Sequence, residues 1–220
     1  MRTVLMLCLV LLVAGCGKKE ALHKGKSAAE WQQSLHDPDA PTRREAASAL
    51  GALKARQYAA DLTAALKDPD GEVRAKAAEA IWSIGPDAKE SVPDLIALLK
   101  DKNPGLRLNA AGALGEMGPD AVGAVPALGD KLKDRDPYVR AQAARSLGRL
   151  GAEARSTVPA LIEALRDRQK NVRVASAYAL GEIGPEARSA APALREASRT
   201  RDGDMRVAVA TALKAVEGRQ

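Results

Sequence analysis

Phenylalanine is absent from this 220-residue chain, and all aromatics together make up 2% of it. β-Sandwiches and barrels rely on aromatic and β-branched side chains. With 46% hydrophobic residues and almost no rings, the core must be built from Ala, Leu, Val and Ile. Small and straight side chains suit closely packed helices. No segment alternates with period two, so no strands are expected. Cysteine is nearly missing as well: Cys8 and Cys16 are the only two. Residues beyond 16 therefore have neither an internal disulfide nor a Cys-based metal site. A one-sided charge is lacking too, since 34 basic residues face 28 acidic ones, for a net charge of +6. A nucleic-acid binder shows a one-sided basic stripe, and one that flips bases also needs aromatic walls. No serine or cysteine nucleophile with a plausible base stands out. The expectation is a non-catalytic protein without cofactor or metal and without a nucleic-acid partner.

What is present begins with residues 1–15, MRTVLMLCLVLLVAG. Arg2 precedes an apolar run from Val4 to Val13, too short to span a bilayer permanently and laid out like a secretory signal. The following Val13-Ala14-Gly15-Cys16 resembles the lipobox of bacterial lipoproteins, with Val13 in place of the usual Leu. That resemblance implies cleavage before Cys16 and acylation of Cys16, hence a lipid anchor to a membrane. Gly17, where an Asp would favour inner-membrane retention, points to the outer membrane, facing the periplasm. The alternatives are an ordinary signal peptide with an incidental cysteine, or an uncleaved anchor. Residues 16–26 read as the lipidated cysteine and a flexible basic tether.

The remainder is a repeat, which is to be sought before anything else. DPDGEVRAKAAEAIWSIG from Asp68 returns from Asp101, Asp134 and Asp167, shortened from Asp37 and degenerate from Arg201. Arg74, Arg107, Arg140, Arg173 and Arg206 stand 33 residues apart, and Arg43 precedes Arg74 by 31. Pro93, Pro126, Pro159 and Pro192 keep the same 33-residue interval. Each unit reads as two helices. Helix A opens on a cap such as Asp70, Asn103 or Asp136 and stops at Gly85, Gly118, Gly151 or Gly184. Its apolar face runs Val73, Ala77, Ile81, Ile84. Helix B carries the proline in its first turn and buries pairs such as Leu95 with Leu98, or Leu161 with Leu165. One hairpin cannot bury its apolar face alone, so the units must stack.

The Asp, Val-Arg, Ala-Ala, Leu-Gly pattern resembles HEAT repeats, in particular the short HEAT-like repeats of phycobilisome lyases. The resemblance covers about residues 27–217. It implies an all-α, right-handed α–α superhelix of the HEAT/armadillo solenoid type, with about twelve short helices in about six repeats. By the same resemblance, A helices form the convex side and B helices line the concave side. Families of this architecture mostly bind proteins. A metal-dependent hydroxylase family of similar fold uses paired His-Glu motifs, which this chain lacks: Lys24 follows His23 and Asp37 follows His36. The alternative function is a lyase-like or pigment-binding protein, although bilin chemistry is cytoplasmic and the leader argues for export.

Two columns of side chains are candidate sites. Asp68 and Arg74, Asp101 and Arg107, Asp134 and Arg140, Asp167 and Arg173 each stand six residues apart. The family resemblance makes them an interlocking ladder between units; the alternative is a phosphate-binding row. Lys67, Lys100, Lys133, Arg166 and Arg199 close successive B helices. They either compensate the helix dipole or form a basic strip that meets an acidic partner protein. Asp130, Glu163 and Glu196 lie one turn before three of them, whereas Lys67 and Lys100 follow alanines. Trp31 and Trp82 read as packing residues, and Tyr58, Tyr138 and Tyr178 as unrelated positions. The last A helix, Met205 to Val216, has no helix B after it. Val207, Val209, Leu213 and Val216 make it an apolar edge for self-association or docking.

Overall fold

The computed structural model of the protein describes residues 21–218. The leader, Cys16 and the first half of the tether lie outside the described residues. Twelve α-helices occur among those residues, alternately short and long: α1 (Ala28–Ser34), α2 (Ala40–Ala52), α3 (Ala59–Ala65), α4 (Gly71–Ile84), α5 (Val92–Leu98), α6 (Pro104–Glu116), α7 (Val125–Lys131), α8 (Pro137–Arg149), α9 (Val158–Ala164), α10 (Lys170–Ile183), α11 (Ala191–Ala197) and α12 (Gly203–Glu217). No helix among them is long and apolar enough to cross a membrane.

The long helices start where the sequence places caps. The side chains of Asp39, Asp70, Asn103, Asp136 and Asp202 accept first-turn backbone N–H groups, satisfying donors that the helix itself cannot. Only α10 lacks such a bond, having Gln169 at the position. The helices end at glycines with φ between 53° and 74°: Gly85, Gly118, Gly151 and Gly184. A positive φ is disfavoured for a residue with a side chain. In the first unit Lys54 stands at the equivalent position, also with a positive φ of 47°. Beyond each glycine the chain does not simply turn into helix B. It runs first through a 3-10 segment, Gly85–Ser91, Gly118–Ala124, Gly151–Thr157 or Gly184–Ala190. The sequence pattern gave no sign of these.

Burial follows the repeat. Val73, Ala77, Ile81 and Ile84 are all buried, as are the alanine columns 77/110/143 and 78/111/144/177. In helix B the buried partner of Leu95 is Leu99, while Leu98 is half-buried. Leu99 stands at the C-cap of the seven-residue helix, and the i,i+4 pair recurs as Leu62/Leu66, Leu128/Leu132 and Leu161/Leu165.

Successive long helices pack directly on one another, α2 on α4, α4 on α6 and onward to α12. Successive short helices do not pack this way; each of α3, α5, α7 and α9 meets the 3-10 segment of the next unit instead. The long helices therefore form one continuous layer, and the short helices join it through the 3-10 segments.

Glycines allow the close spacing. A Cβ at Gly51 would lie 2.8 Å from Ala80 Cα, one at Gly115 2.9 Å from Ser146 Cα, and one at Gly181 3.0 Å from Ala212 Cα. Trp82 holds the equivalent position in the second unit. Its ring lies over Gly112, where a Cβ would approach to 2.6 Å, and its Nε1 donates to Glu116 at 3.3 Å.

Both ends differ from expectation. Lys24 and Gly25, at φ 49° and 79°, form a tight turn closed by the His23–Lys26 bridge. That turn packs on Trp31: its Nε1 donates to the His23 carbonyl at 3.0 Å, and Lys26 Nζ stands 4.5 Å above its ring. The fold thus starts within the segment read as a tether. At the other end, Val209 and Val216 are fully buried, because the inward face of α12 is the one that packs on α10 and α11. The outward face shows Val207, Ala210, Thr211 and Lys214. Lys214 occupies the glycine column and is exposed. The apolar edge expected there reduces to Val207.

Candidate functional site

The arginine and aspartate columns interlock between units. The guanidinium of Arg43 donates to Asp68 at 2.7 and 2.9 Å, Arg107 to Asp134 at 2.8 and 2.7 Å, and Arg140 to Asp167 at 2.8 and 2.9 Å. The Arg74–Asp101 rung is looser, at 3.6 Å. Within each unit the Nη1 of Arg43, Arg74, Arg107, Arg140 or Arg173 donates to the backbone carbonyl of the Asp six residues before it. From Asp68 to Asp167, each aspartate thus meets its own arginine through the carbonyl and the preceding unit's arginine through the carboxylate. The sixth unit has Thr200 at the position, so Arg173 has no carboxylate there. Donors committed in this way are not aimed at an external phosphate.

Hydrogen bonding from Arg43 holds the Asp68 carboxyl below its ordinary value. Burial alone would raise Asp134 and Asp167, but bonds from Arg107 and Arg140, and from the backbone, outweigh it and both are lowered. A carboxylate depressed in the folded state contributes stability above its unfolded pKa of about 3.9 and loses it as pH falls through the folded value. The protein is expected to hold its stability down to about pH 5 and lose it progressively below. Urea midpoints near neutrality and well below pH 4 should fall further for the wild type than for Asp134→Asn. Equal losses would separate acid sensitivity from the ladder.

The basic column is mostly paired. Lys67 reaches Asp94 at 3.0 Å, Lys133 reaches Glu163 at 3.1 Å and Arg166 reaches Glu196 at 2.8 Å. Every one of these acids belongs to the next unit. Lys67, which has no acid one turn earlier in its own helix, is therefore not free, and a charge strip beginning there is corrected. Among the described residues, Lys100 and Arg199 make no ion pair. No group of three or more His, Cys, Asp or Glu side chains among these residues is placed to hold a metal.

A concavity of about 880 Å³ crosses α8, α10 and α12 on the long-helix face. Its walls include Tyr138, Arg145, Val174, Tyr178 and Val207. Four large hydrophobic residues are exposed among the described residues, and three of them, Tyr138 (65%), Val207 (59%) and Tyr178 (40%), meet here. The tyrosines look unrelated in sequence because they occupy different columns. They are 40 residues apart, one unit plus two helical turns, which places them on the same side of adjacent helices. That arithmetic was the available signal. Arg145 donates to Gln142 at 3.3 Å and has no carboxylate partner among the described residues. Burial, and then the nearby Arg149 charge, push its pKa down.

A family model described as HEAT repeats matches residues 28–88, 59–130 and 125–214. No curated protein sequence matches the chain. Among solved structures, an engineered protein superposes with a TM-score of 0.76 at 23% identity, covering 87% of this chain and 96% of its own. A designed armadillo repeat protein, solved in complex with the peptide (KR)4, gives 0.73 at 17% identity, covering 87% and 100%. The complex of CpcE and CpcF of phycocyanin lyase from Nostoc sp. PCC7120 gives 0.54 at 24% identity, covering 86% and 82%. These likenesses establish the fold, a helical repeat solenoid.

Proposed function

Because the chain belongs to the HEAT-repeat family, we propose that it is a non-catalytic scaffold that binds another protein. It is anchored to a bacterial membrane through acylated Cys16 and faces the periplasm, with the outer membrane as its site. The observation that supports binding is the convergence of Tyr138, Tyr178 and Val207 on one concave groove. Exposed apolar side chains gathered in a groove mark an interaction surface, whereas scattered ones do not. A protein of similar fold has been solved with a peptide bound, which agrees with this use of the architecture. Likeness to the phycocyanin lyase at 24% identity extends to the fold alone, and no lyase activity is proposed.

The anchor is supported by the lipobox-like Val13-Ala14-Gly15-Cys16. Several acyl chains give stable attachment, at about 0.8 kcal/mol per buried methylene. Cys16→Ser is expected to shift the protein from the membrane fraction to the soluble one, or to leave it held by an uncleaved signal. A mutant that is processed and stays with membranes to the wild-type extent would refute the anchor. Crosslinking of the membrane-attached protein, followed by affinity capture and mass spectrometry, tests the scaffold reading. It fails if no protein is enriched over a Cys16→Ser control and over bare membranes.

A further inference from the structure

The groove across α8, α10 and α12 carries more information than its exposure. Its distinctive side chains depart from the repeat template. The Arg145 column reads Ser48, Glu79, Gly112, Arg145, Tyr178, Thr211, and the Tyr138 column reads Pro41, Glu72, Gly105, Tyr138, Asn171, Asp204. Stacking therefore requires neither an arginine nor a tyrosine at these places, and only the fourth and fifth units supply them. The charges are uneven. Lys170 at the groove's rim is neutralised by Asp202 at 3.0 Å and Asp204 at 2.7 Å. Arg149 is taken by Glu116. Arg145 has only the neutral Gln142 amide, with the like charge of Arg149 nearby, and makes no ion pair among the described residues. An exposed arginine without an anion keeps its fork open to a ligand carboxylate.

We propose that this groove receives an extended segment of a partner protein in which a carboxylate is flanked by apolar side chains. The carboxylate pairs with Arg145, and an apolar side chain seats between Tyr138 and Tyr178 over Val174 and Val207. An arginine fork favours a planar carboxylate, to which it can bond in two places. Tyrosines supply a wide contact surface at low entropic cost. The trough is open and crosses three parallel helices, which suits a chain laid over them. This inference rests on the scaffold reading and names the chemistry of its partner.

The test uses full-length protein in detergent and two immobilised peptide libraries. Each has one fixed residue between randomised apolar positions: glutamate in one, glutamine in the other. The glutamate library is expected to yield binders and the glutamine library few. Arg145→Gln should weaken selected glutamate peptides by about tenfold or more, the loss of roughly one charged hydrogen-bonded contact. Tyr178→Ala should weaken peptides from either library. Both positions are exposed, and an unchanged melting temperature verifies that the variants fold. Equal yields from the two libraries, no binders at all, or indifference to Arg145→Gln would each overturn the proposal. Crosslinking capture separates that failure from the broader one. A partner captured equally by wild type and Arg145→Gln leaves the scaffold standing without this groove, and no captured partner removes both.

Discussion

Replacing Gly115 with leucine is expected to lower the unfolding free energy by about 3 kcal/mol, at the upper end of overpacking penalties. Already the first atom added has no room. A Cβ there would lie 2.6 Å from Ser146 Oγ, 2.8 Å from its Cβ and 2.9 Å from its Cα. Backbone is the obstacle, so a rotamer change cannot relieve the clash, and α6 and α8 must separate. Separation would also break the buried bond from Ser146 Oγ to the Ala111 carbonyl, 2.7 Å long. The control is Gly123→Ala, where nothing lies within 4 Å of the added atom and the change should stay within about 0.5 kcal/mol. Urea midpoints of the two variants decide the matter. A Gly115→Leu protein as stable as the control would mean that the helices do not approach as closely as described.

Arg107→Ala is expected to cost about 2–3 kcal/mol, through lost charged hydrogen bonds to a buried carboxylate that keeps only Lys131 at 3.8 Å and the Asp136 N–H at 3.0 Å. The side chains of Arg107 and Asp134 are only 12% and 5% exposed, so water does not readily replace the missing partner. Arg74→Ala provides an internal comparison. Its ion pair is longer, at 3.6 Å, and its side chains are 24% and 22% exposed, yet its Nη1 bond to the Asp68 carbonyl is intact at 2.7 Å. If the inter-unit pair carries the stability, Arg74→Ala should cost clearly less than Arg107→Ala. Equal costs in chemical denaturation would transfer the credit to the carbonyl bond that both arginines share.

Much of this architecture is written locally, and therefore legible in sequence. Asp70 and Asp136 announce helix starts because capping needs only a side chain and its own first turn. Gly85 and Gly184 announce stops because left-handed backbone is a single-residue matter. What depends on two units at once was hidden. Lys67 looks free within its own helix and acquires Asp94 only when the next unit stacks. Tyr138 and Tyr178 share no column and meet only across neighbouring helices. Val209 and Val207 are both apolar residues of one helix, and the choice between them as core or surface belongs to the α10 face beneath.

The Trp82–Gly112 pairing gives the stack a serial order. The junction after the third unit is less particular: loss of residues 134–166 would bring Gly115 against Ala179, a smaller residue than the Ser146 it now meets. Loss of residues 101–133 would instead set the Trp82 ring against Arg145, with no glycine to receive it. Growth or contraction by whole units is thus open to the C-terminal part of the array and closed at one joint. That joint keeps the second and third units as a fixed pair.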